Sequence, residues 1–562
     1  MQQYDVTILG GGLAALTLSI QIKLKNPNAK ILVLEKRKSE ATVAAHKVGE
    51  STVELAGYYF REILGLGKYL DEFELPKHGL RYYFKSNNKN DITTRVELGP
   101  RNWLKYHTYQ VDRGTFENFL IKKNLELGTE IVLDARVTDV ELGNGNNAVK
   151  YVEGGTAKTV TTSWIVDASS RMSLLKRKLG FEKPIEHNCN SAWFRVKGVV
   201  DVAKWGNNKE WQNQLPDRLR YLSTVHFLDN GYWVWIIPLG SKNTSIGIVA
   251  DQDIHPFDTY NTLETAMEWL KTNEPQFCKE IDLSPENILD FKILKHFAHH
   301  SERLFDGYQK WAATGEAGAF LDPFYSPGSD LISLSNTLIS DVILRSLKGE
   351  DVAFRADVYE QTYLGLIDSW IPIYKDKYKL MGNTQIMVLK IFWDWAVYWS
   401  VPTVLFTNNA FTDLNLVKKL FSAPDGLGRK FGKLGNRVQQ LLLDWRPYEN
   451  KVLEGKYIDP FDLEYLRKLQ YEIEMNQGEN LIDKMAENIS LLEKFAAEIF
   501  RKISAEVKGT DMNLKVNPYE MVLDVENKLN IPEVSDEHNV APDKMMREAV
   551  ATIWFENEIV KL

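Results

Sequence analysis

Several features are scarce in this chain of 562 residues, and each scarcity narrows the kind of protein it encodes. Cysteine occurs only twice, at Cys189 and Cys278, which excludes a disulfide framework and favours a reducing, cytoplasmic location. There are 68 Lys and Arg against 76 Asp and Glu with no long basic run, so we expect no nucleic-acid partner. The first residues lack the cationic start and the cleavage site of a signal peptide.

Long apolar runs are missing as well. The longest, residues 386–406, is interrupted by Lys390, Asp394 and Pro402, which is unfavourable for a membrane span and typical of a buried or amphipathic helix. We therefore predict no transmembrane segment. The chain is also too long for one compact core, so we expect two or three domains.

The first forty residues contain a dinucleotide-binding fingerprint. Residues 4–9 form a short β-branched run, followed by Gly10-x-Gly12-x-x-Ala15, a helical pattern and a second apolar run that ends at Glu35. Gly10 allows a tight turn and Gly12 lets the backbone approach a pyrophosphate at the helix N-terminus. Ala15 permits close packing of the helix on the sheet, and Glu35 can accept hydrogen bonds from an adenosine ribose.

The stretch GYWVWIIPLG carries two tryptophans, Trp233 and Trp235, one residue apart. Strand alternation places both indoles on one face, with Val234 and Ile236 on the other. Taken alone, the pattern favours a core strand that ends at an edge, because Pro238 cannot donate a hydrogen bond to a sheet.

Three later segments resemble those of glutathione-reductase-type flavoprotein monooxygenases. They are residues 111–120 (VDRGTFENFL), residues 164–170 (WIVDASS) and residues 314–323 (TGEAGAFLDP). The resemblance implies FAD rather than NAD, with Glu316 in place of the usual aspartate beside the ribityl chain. No second glycine fingerprint follows a strand, because the glycines of residues 426–435 lie among charged helical residues, so we expect no built-in NAD(P)H domain.

Flavin-dependent halogenases, a branch of the same class, supply the closer resemblance. The segment from Trp233 to Pro238 matches their WxWxIP motif, and residues 48–52 (VGEST) resemble the loop that straps the flavin. Residues 75–84 (LPKHGLRYYF) resemble the segment with the family's essential lysine, which would be Lys77. The resemblance implies an FAD-dependent oxidoreductase that uses FADH2 and O2 to make hypohalous acid, which a tunnel delivers to the lysine. Paired indoles would separate the flavin from the substrate.

The resemblance assigns residues to three roles. Lys77, Trp233 and Trp235 would be catalytic. The FAD would be held by Gly10, Gly12, Leu13, Ala14, Ala15, Glu35, Lys36, Val48, Gly49, Glu50, Ser51, Arg113, Val137, Asp167, Glu316, Pro323 and Gly328. The substrate or halide would meet Tyr325, Ser326, Pro327 and Gly328, and no metal site is predicted.

Two positions depart from the family pattern. Tryptophan halogenases place a glutamate two residues after a DP or EP pair, and this chain has Tyr325 there, so a phenol or pyrrole fits better than free tryptophan. Family members also bind halide through consecutive backbone N–H groups in this loop. One of those positions is Pro327, which has no N–H to donate.

The implied fold is of the α/β class. An FAD-binding Rossmann-like domain, a parallel sheet with helices, would comprise residues 1–185 and 300–350. An interleaved antiparallel β substrate sheet would comprise residues 80–110 and 186–299, and a mainly helical region residues 351–562. The many aromatic residues between positions 368 and 411 could line a substrate pocket or pack this helical region against the flavin domain.

We therefore predict a halogenase-like monooxygenase acting on an electron-rich aromatic, free or attached to a carrier or peptide, with a separate flavin reductase supplying FADH2. An aromatic hydroxylase on the same scaffold is the enzymatic alternative, acting on a small phenol or a peptidyl aromatic residue. Oxygen transfer needs no halide, so Pro327 would not matter there. A degenerate flavin-binding or partner-binding protein is the non-enzymatic alternative.

Overall fold

The computed structural model describes residues 3–43, 49–422, 426–451, 453–475, 480–509, 513–523 and 538–555. The strands of the described residues are β1 Gln3–Leu9, β2 Ile31–Leu34, β3 Leu75–Pro76, β4 Leu80–Tyr83, β5 Glu97–Leu98, β6 Tyr109–Gln110, β7 Glu130–Val132, β8 Ala135–Glu141, β9 Asn147–Glu153, β10 Thr156–Asp167, β11 Glu182–Pro184, β12 Cys189–Lys197, β13 Thr224–Asp229, β14 Tyr232–Pro238, β15 Asn243–Asp251, β16 Ile288–Leu294, β17 His299–Ser301, β18 Phe305–Asp306, β19 Trp311–Ala313 and β20 Tyr457–Ile458.

The α-helices of the same residues are α1 Leu13–Lys25, α2 Glu54–Tyr58, α3 Gly67–Phe73, α4 Arg113–Glu126, α5 Leu174–Leu179, α6 Lys209–Asn213, α7 Leu263–Asn273, α8 Pro275–Glu280, α9 Gly328–Leu347, α10 Ala353–Tyr374, α11 Thr384–Ser400, α12 Pro402–Thr407, α13 Leu414–Phe421, α14 Leu427–Trp445, α15 Glu464–Tyr471, α16 Leu481–Lys508 and α17 Lys544–Thr552.

The first sheet has a parallel core in the order β19, β10, β1, β2, β7. Strand β18 adds antiparallel to β19, and β8 and β9 extend from β10 as an antiparallel hairpin. Strand β2 is buried along its whole length, as expected for a parallel strand covered on both faces. Helices α1 and α9 pack together next to this sheet, and α4 packs on α1. The α/β class is confirmed.

The second sheet is mainly antiparallel, in the order β16, β12, β15, β14, β13, β4, β5, β20. The tryptophan strand β14 is central in it, between β13 and β15. Trp233 and Trp235 pack into one hydrophobic core, and Val234 and Ile236 into another on the opposite face, which confirms the predicted alternation. Pro238 is the last residue of a central strand and does not mark a lateral edge of the sheet.

The rest of the chain after α9 is mostly helical and packs on both sheets. Helix α11 is buried almost throughout, so the apolar run that begins at residue 386 belongs to the protein core. Strand β20 comes from this region and pairs with β5 of the second sheet. None of the described helices is long and apolar enough to cross a membrane.

Candidate active site

The turn between β1 and α1 brings the backbone close to strand β10. Gly10 has a φ of +103°, and a Cβ there would lie 2.5 Å from the carbonyl oxygen of Ala168, so only glycine fits. A Cβ on Gly12 would meet no atom within 4 Å, because this position opens into a cavity at the N-terminus of α1. The Gly11 N–H donates to Glu35 Oε2 at 2.6 Å, which fixes the acid beside the turn.

A cavity of about 550 Å³, here called the cofactor cavity, opens in front of this turn. Except for Ala15, Asp167 and Val48, every residue predicted to hold FAD lines it. Ala15 is fully buried in the core, and Asp167 accepts hydrogen bonds from the N–H groups of Ser169 (2.9 Å) and Leu175 (2.7 Å) and so holds the end of β10. Val48 lies outside the described residues.

The charges around the cofactor cavity suit an anionic dinucleotide. The N-terminus of α1 and the guanidinium of Arg113 both border it. Burial lowers the pKa of Arg113 to about 10, while Glu316 and Glu50 oppose that shift, so the side chain stays cationic at neutral pH. The open space at Gly12 can accept a pyrophosphate, and Glu35 can accept hydrogen bonds from a ribose. The residues present therefore fit FAD.

A second, smaller pocket of about 80 Å³, the lysine pocket, contains Lys77. The side chain is only 3% exposed, and its Nζ donates to Ser51 Oγ at 2.8 Å and to the Thr52 carbonyl at 2.7 Å. Burial lowers the pKa of Lys77 to about 7, and the charges of Glu54 and Asp330 oppose the shift. An amine that titrates near neutral pH can both donate and accept a proton during a reaction.

Two buried carboxyl groups line the lysine pocket together with Lys77. Asp330 accepts hydrogen bonds from the Ala56 N–H at 2.9 Å and from the Tyr398 hydroxyl at 2.7 Å, and burial raises its pKa to about 7. Glu54 accepts a hydrogen bond from Trp399 Nε1 at 2.9 Å, and burial raises its pKa too. Sequence reasoning missed both, because each lies in the first turn of a helix, where an acid is common.

Ser51 lies where the cavity and the pocket meet. It lines the cofactor cavity, and its hydroxyl accepts the hydrogen bond from Lys77 in the neighbouring pocket. The same hydroxyl is 2.8 Å from Thr224 Oγ1, which also lines the cofactor cavity. A single side-chain hydroxyl therefore separates the lysine ammonium from the space that fits FAD.

The paired indoles line the cofactor cavity and do not reach the lysine pocket. The ring centroids of Trp233 and Trp235 are 5.6 Å apart, with their planes at 45°. Trp233 Nε1 donates to the Tyr378 hydroxyl at 2.8 Å, and Trp235 Nε1 donates to Ser245 Oγ at 3.1 Å. A Cβ on Gly247, opposite on β15, would lie 2.1 Å from the ring of Trp235, so this glycine makes room for the indole.

The aromatic residues of α10 and α11 are divided between the lining of the lysine pocket and the core. The lysine pocket is lined by Trp370, Tyr374, Trp395, Tyr398 and Trp399. Phe392 and Trp393 are buried in the core instead.

Comparison with known proteins finds flavin-dependent halogenases among the relatives. The chain is 27% identical over 518 residues to the flavin-dependent halogenase chlA of Dictyostelium discoideum, a match that covers 81% of this chain and 83% of that protein. Along most of its length the chain is thus similar to flavin-dependent halogenases. No protein-family model matches it.

Further similarities agree with this placement. The chain is 26% identical, over 62% of its length and 77% of the relative's, to a chlorinase of 1H-pyrrole-2-carbonyl peptidyl-carrier protein from Pseudomonas fluorescens. The structure of the halogenase PltM in complex with phloroglucinol and FAD superposes with a TM-score of 0.66 at 16% identity, covering 90% of this chain and 96% of that one. FAD is the cofactor of this FAD-dependent oxidoreductase family, and the cavity described above fits it.

The loop before α9 is unusual for a halogenase. Tyr325 and Ser326 both have a positive φ, of 73° and 61°. The Ser326 N–H donates to the Pro323 carbonyl at 2.9 Å, and Pro327 has no N–H, so neither of these two predicted halide contacts offers a backbone donor. The N–H groups of Gly328, in the first turn of α9, and of the residue after it have no acceptor within the helix, and both residues line the cofactor cavity.

A buried carboxylate holds this loop in place. The Tyr325 hydroxyl donates to Asp394 Oδ2 at 2.7 Å, and Asp394 also accepts hydrogen bonds from Lys390 at 2.5 Å and from Gln439 at 2.7 Å. Positive φ angles in two consecutive residues other than glycine cost about 1–3 kcal/mol each. The strained loop is therefore fixed from the helical region, through α11 and α14. Of the predicted loop residues, Tyr325 and Pro327 line the lysine pocket, and Ser326 and Gly328 line the cofactor cavity.

Proposed function

We propose that this protein is an FADH2- and O2-dependent halogenase of an electron-rich aromatic ring of the phenol or pyrrole type. One observation carries the proposal: Lys77 is buried in a pocket of its own, beside the cofactor cavity but distinct from it. Direct oxygen transfer from a flavin to a substrate would need the substrate ring in the flavin's own cavity. A diffusible oxidant that is used at a separate lysine fits the observed arrangement.

Reduced FAD, when bound, would supply two of the four electrons that O2 accepts, and the halide would supply the other two, so that the products are hypohalous acid and water. The chain's own residues then control where the acid reacts. Gly12, Glu35 and Arg113 bind the cofactor, and the indoles of Trp233 and Trp235 border it. The buried pocket of Lys77 keeps bulk water from consuming the oxidant.

Lys77 and the two neighbouring carboxyl groups can balance the protons of the halogen transfer. The Lys77 ammonium donates a hydrogen bond to the oxygen of the hypohalous acid. The substrate ring forms the carbon–halogen bond as the halogen–oxygen bond breaks, and the departing hydroxide takes the lysine proton to become water. The ring then loses its proton to the carboxylate of Asp330 or Glu54, which returns one to the lysine.

The lining of the lysine pocket favours a small aromatic substrate. Trp370, Tyr374 and Trp395 supply apolar ring surface against which an aromatic ring can pack. PltM was solved with phloroglucinol, and the Pseudomonas relative is named for a carrier-bound pyrrole. We therefore propose a phenol or pyrrole ring as substrate, either free or presented on a carrier or peptide.

A separate flavin reductase is part of the proposal. The sequence contains one dinucleotide fingerprint, at residues 10–15, and that fingerprint borders the FAD-sized cavity. The chain thus provides one dinucleotide site, which FAD would fill.

The test is product analysis by mass spectrometry with FAD, a flavin reductase, NADH, bromide or chloride, and a panel of phenols and pyrroles. The halogenase should give ring-halogenated products that depend on halide. Lys77→Met should stop their formation while halide oxidation continues, detected as bromination of a 1,3-diketone trap in solution. A Lys77→Met variant that halogenates at the wild-type rate would contradict the role of the lysine.

An aromatic hydroxylase is the second candidate, and the loop before α9 favours it. Neither Ser326 nor Pro327 offers a backbone N–H for halide, whereas oxygen transfer needs no halide site. The same product analysis without halide distinguishes the two activities. A product heavier by one oxygen atom, formed at the same rate with and without bromide, would establish the hydroxylase.

A further inference from the structure

A continuous series of ring contacts lies between the cofactor cavity and the lysine pocket. This aromatic wall consists of Trp233, His226, Tyr82, Phe324 and Tyr325. Trp233 and His226 line the cofactor cavity, Tyr325 lines the lysine pocket, and Tyr82 and Phe324 line neither. The sequence motifs predict only the indole pair of Trp233 and Trp235 as the barrier.

Ring contacts place Tyr82 between the two sides. Its ring is stacked on His226 with centroids 4.7 Å apart and planes at 24°, and it lies 6.5 Å from Tyr325 and 6.0 Å from Trp395. Phe324 fills the remaining space, 5.3 Å from Trp233 and 4.3 Å from Tyr325. Any small molecule that crosses the wall by this route must pass Tyr82.

Two polar groups interrupt this apolar wall. The Tyr82 hydroxyl is fully buried, and the described residues give it no hydrogen-bond partner. Burial lowers the pKa of His226 to about 3, so its ring is neutral, and its Nδ1 lies 3.3 Å from the Arg81 carbonyl oxygen. Because a carbonyl can only accept, Nδ1 carries the proton and Nε2 is left as an acceptor. A buried hydroxyl without a partner is costly unless something occupies it during function.

We infer that Tyr82 and His226 form a polar crossing point for hypohalous acid within the aromatic wall. Hypohalous acid is small and neutral, with one O–H donor and one oxygen acceptor, which complement His226 Nε2 and the Tyr82 hydroxyl. No bond forms or breaks at this point, and the oxidised halogen passes unchanged towards Lys77. The inference rests on the proposed halogenase function.

A tyrosine in such a path must itself resist halogenation. Burial raises the pKa of Tyr82 well above its usual range, and the neighbouring charges of Asp394 and Tyr374 add to the shift. The ring therefore stays a neutral phenol, which is far less reactive towards hypohalous acid than a phenolate.

The test is Tyr82→Phe, with Tyr83→Phe as the matched control. Tyr83 is the next residue on β4, is equally buried and also has a hydroxyl without a partner among the described residues. It packs into the core on the other face of the sheet, where its ring lies 5.1 Å from Phe227. Each substitution removes one unbonded buried hydroxyl, so any difference between them reports on position.

The measurement is the amount of halogenated substrate formed per O2 consumed. It is compared with the amount of halogenated 1,3-diketone, added to the solution as a trap, formed per O2 consumed. Tyr82→Phe should lower the product fraction by roughly tenfold, the loss of one hydrogen bond of about 1.4 kcal/mol, and raise the trapped fraction. FAD affinity should not change, and thermal stability should not fall, because the hydroxyl that is removed has no hydrogen-bond partner among the described residues. Tyr83→Phe should match the wild type.

Two results would overturn the inference while leaving the proposed function intact. One is a Tyr82→Phe variant that forms as much halogenated substrate per O2 consumed as the wild type. The other is a Ser51→Ala variant that leaks oxidant while Tyr82→Phe does not, which would place the route along Ser51 and Thr224. Failure of the proposed function would look different, since the wild type would then give neither halogenated product nor trapped halogen.

Discussion

Lys77 Nζ donates a hydrogen bond to Ser51 Oγ at 2.8 Å, although the two residues line different spaces. Lys77 lines the lysine pocket and Ser51 lines the cofactor cavity. The contact joins the residue that follows the short strand β3 to the loop before α2, 26 positions away in sequence. One hydrogen bond thus holds the lysine at the boundary of the cofactor cavity. This arrangement leads to predictions about each compartment separately.

Gly12→Val should abolish FAD binding and leave the protein folded. The valine side chain would occupy the open space at the N-terminus of α1, where a pyrophosphate must approach the backbone. The measurement is flavin fluorescence during titration with the apoprotein, together with circular dichroism. Unchanged affinity would show that this turn does not hold the cofactor.

The control for that substitution is Gly432→Ala, another glycine whose Cβ would meet nothing within 4 Å. It lies inside helix α14, so alanine should keep FAD binding and raise the free energy of unfolding by about 0.5–1 kcal/mol.

NAD(P)H alone should reduce the bound FAD slowly, because the one dinucleotide fingerprint borders the cavity that FAD would fill. Added flavin reductase should restore turnover. Stopped-flow absorbance of the flavin under anaerobic conditions measures both rates. Rapid bleaching by NADPH without a reductase would exclude the two-component arrangement.

Halogenation should have a bell-shaped pH profile with its maximum near pH 7. The rate should rise as Asp330, with a pKa of about 7, loses its proton and can act as a base. It should fall at higher pH as Lys77, also with a pKa of about 7, loses the proton that it must donate. Asp330→Asn should remove the acid limb when kcat is measured between pH 5 and 9. It should also move the alkaline limb to lower pH, because the negative charge of Asp330 raises the pKa of Lys77.

The matched control is Asp394→Asn in the same pocket. Asp394 is already hydrogen-bonded to Tyr325, Lys390 and Gln439, so this change should lower stability and leave both limbs of the profile in place. An acid limb that survives Asp330→Asn would assign the base to Glu54.

Pro327→Ser should strengthen halide binding. It restores one backbone N–H to the loop, a charge-assisted hydrogen bond worth about 1.5–3 kcal/mol. The KM for bromide should fall by roughly tenfold or more. Bromide should be preferred over chloride in the wild type, because it is easier to oxidise. A variant with unchanged KM for both halides would place the halide at the first turn of α9 instead.

Local patterns in the sequence predicted the parts of the molecule that local physics determines. The strand, glycine turn, helix and acid of the first forty residues form as expected, and so does the alternation around Trp233. Each depends on neighbours within a few residues, where periodicity and backbone sterics are decisive.

The lysine pocket could not be predicted from local sequence patterns. Ala56, which donates to Asp330, is 274 positions away in sequence, and Trp399, which donates to Glu54, is 345 positions away. No spacing rule relates residues so far apart, and the acids alone look like ordinary helix-start residues. Tyr82 could not be identified for the same reason, since the rings that it contacts come from β13, the loop before α9 and α11.

The pairing of β20 with β5 ties the last third of the chain to the second sheet. The Tyr457 hydroxyl strengthens that junction by donating to the Gly99 carbonyl at 2.8 Å. A chain shortened after α9 would leave strand β5 unpaired at the edge of the second sheet, and exposed edge strands promote aggregation. It would also lose Tyr398 and Trp399 from the lysine pocket. Solubility and substrate choice therefore depend on the same part of the chain, the part after α9. A change of substrate must be engineered by substitutions within this part and not by removing it.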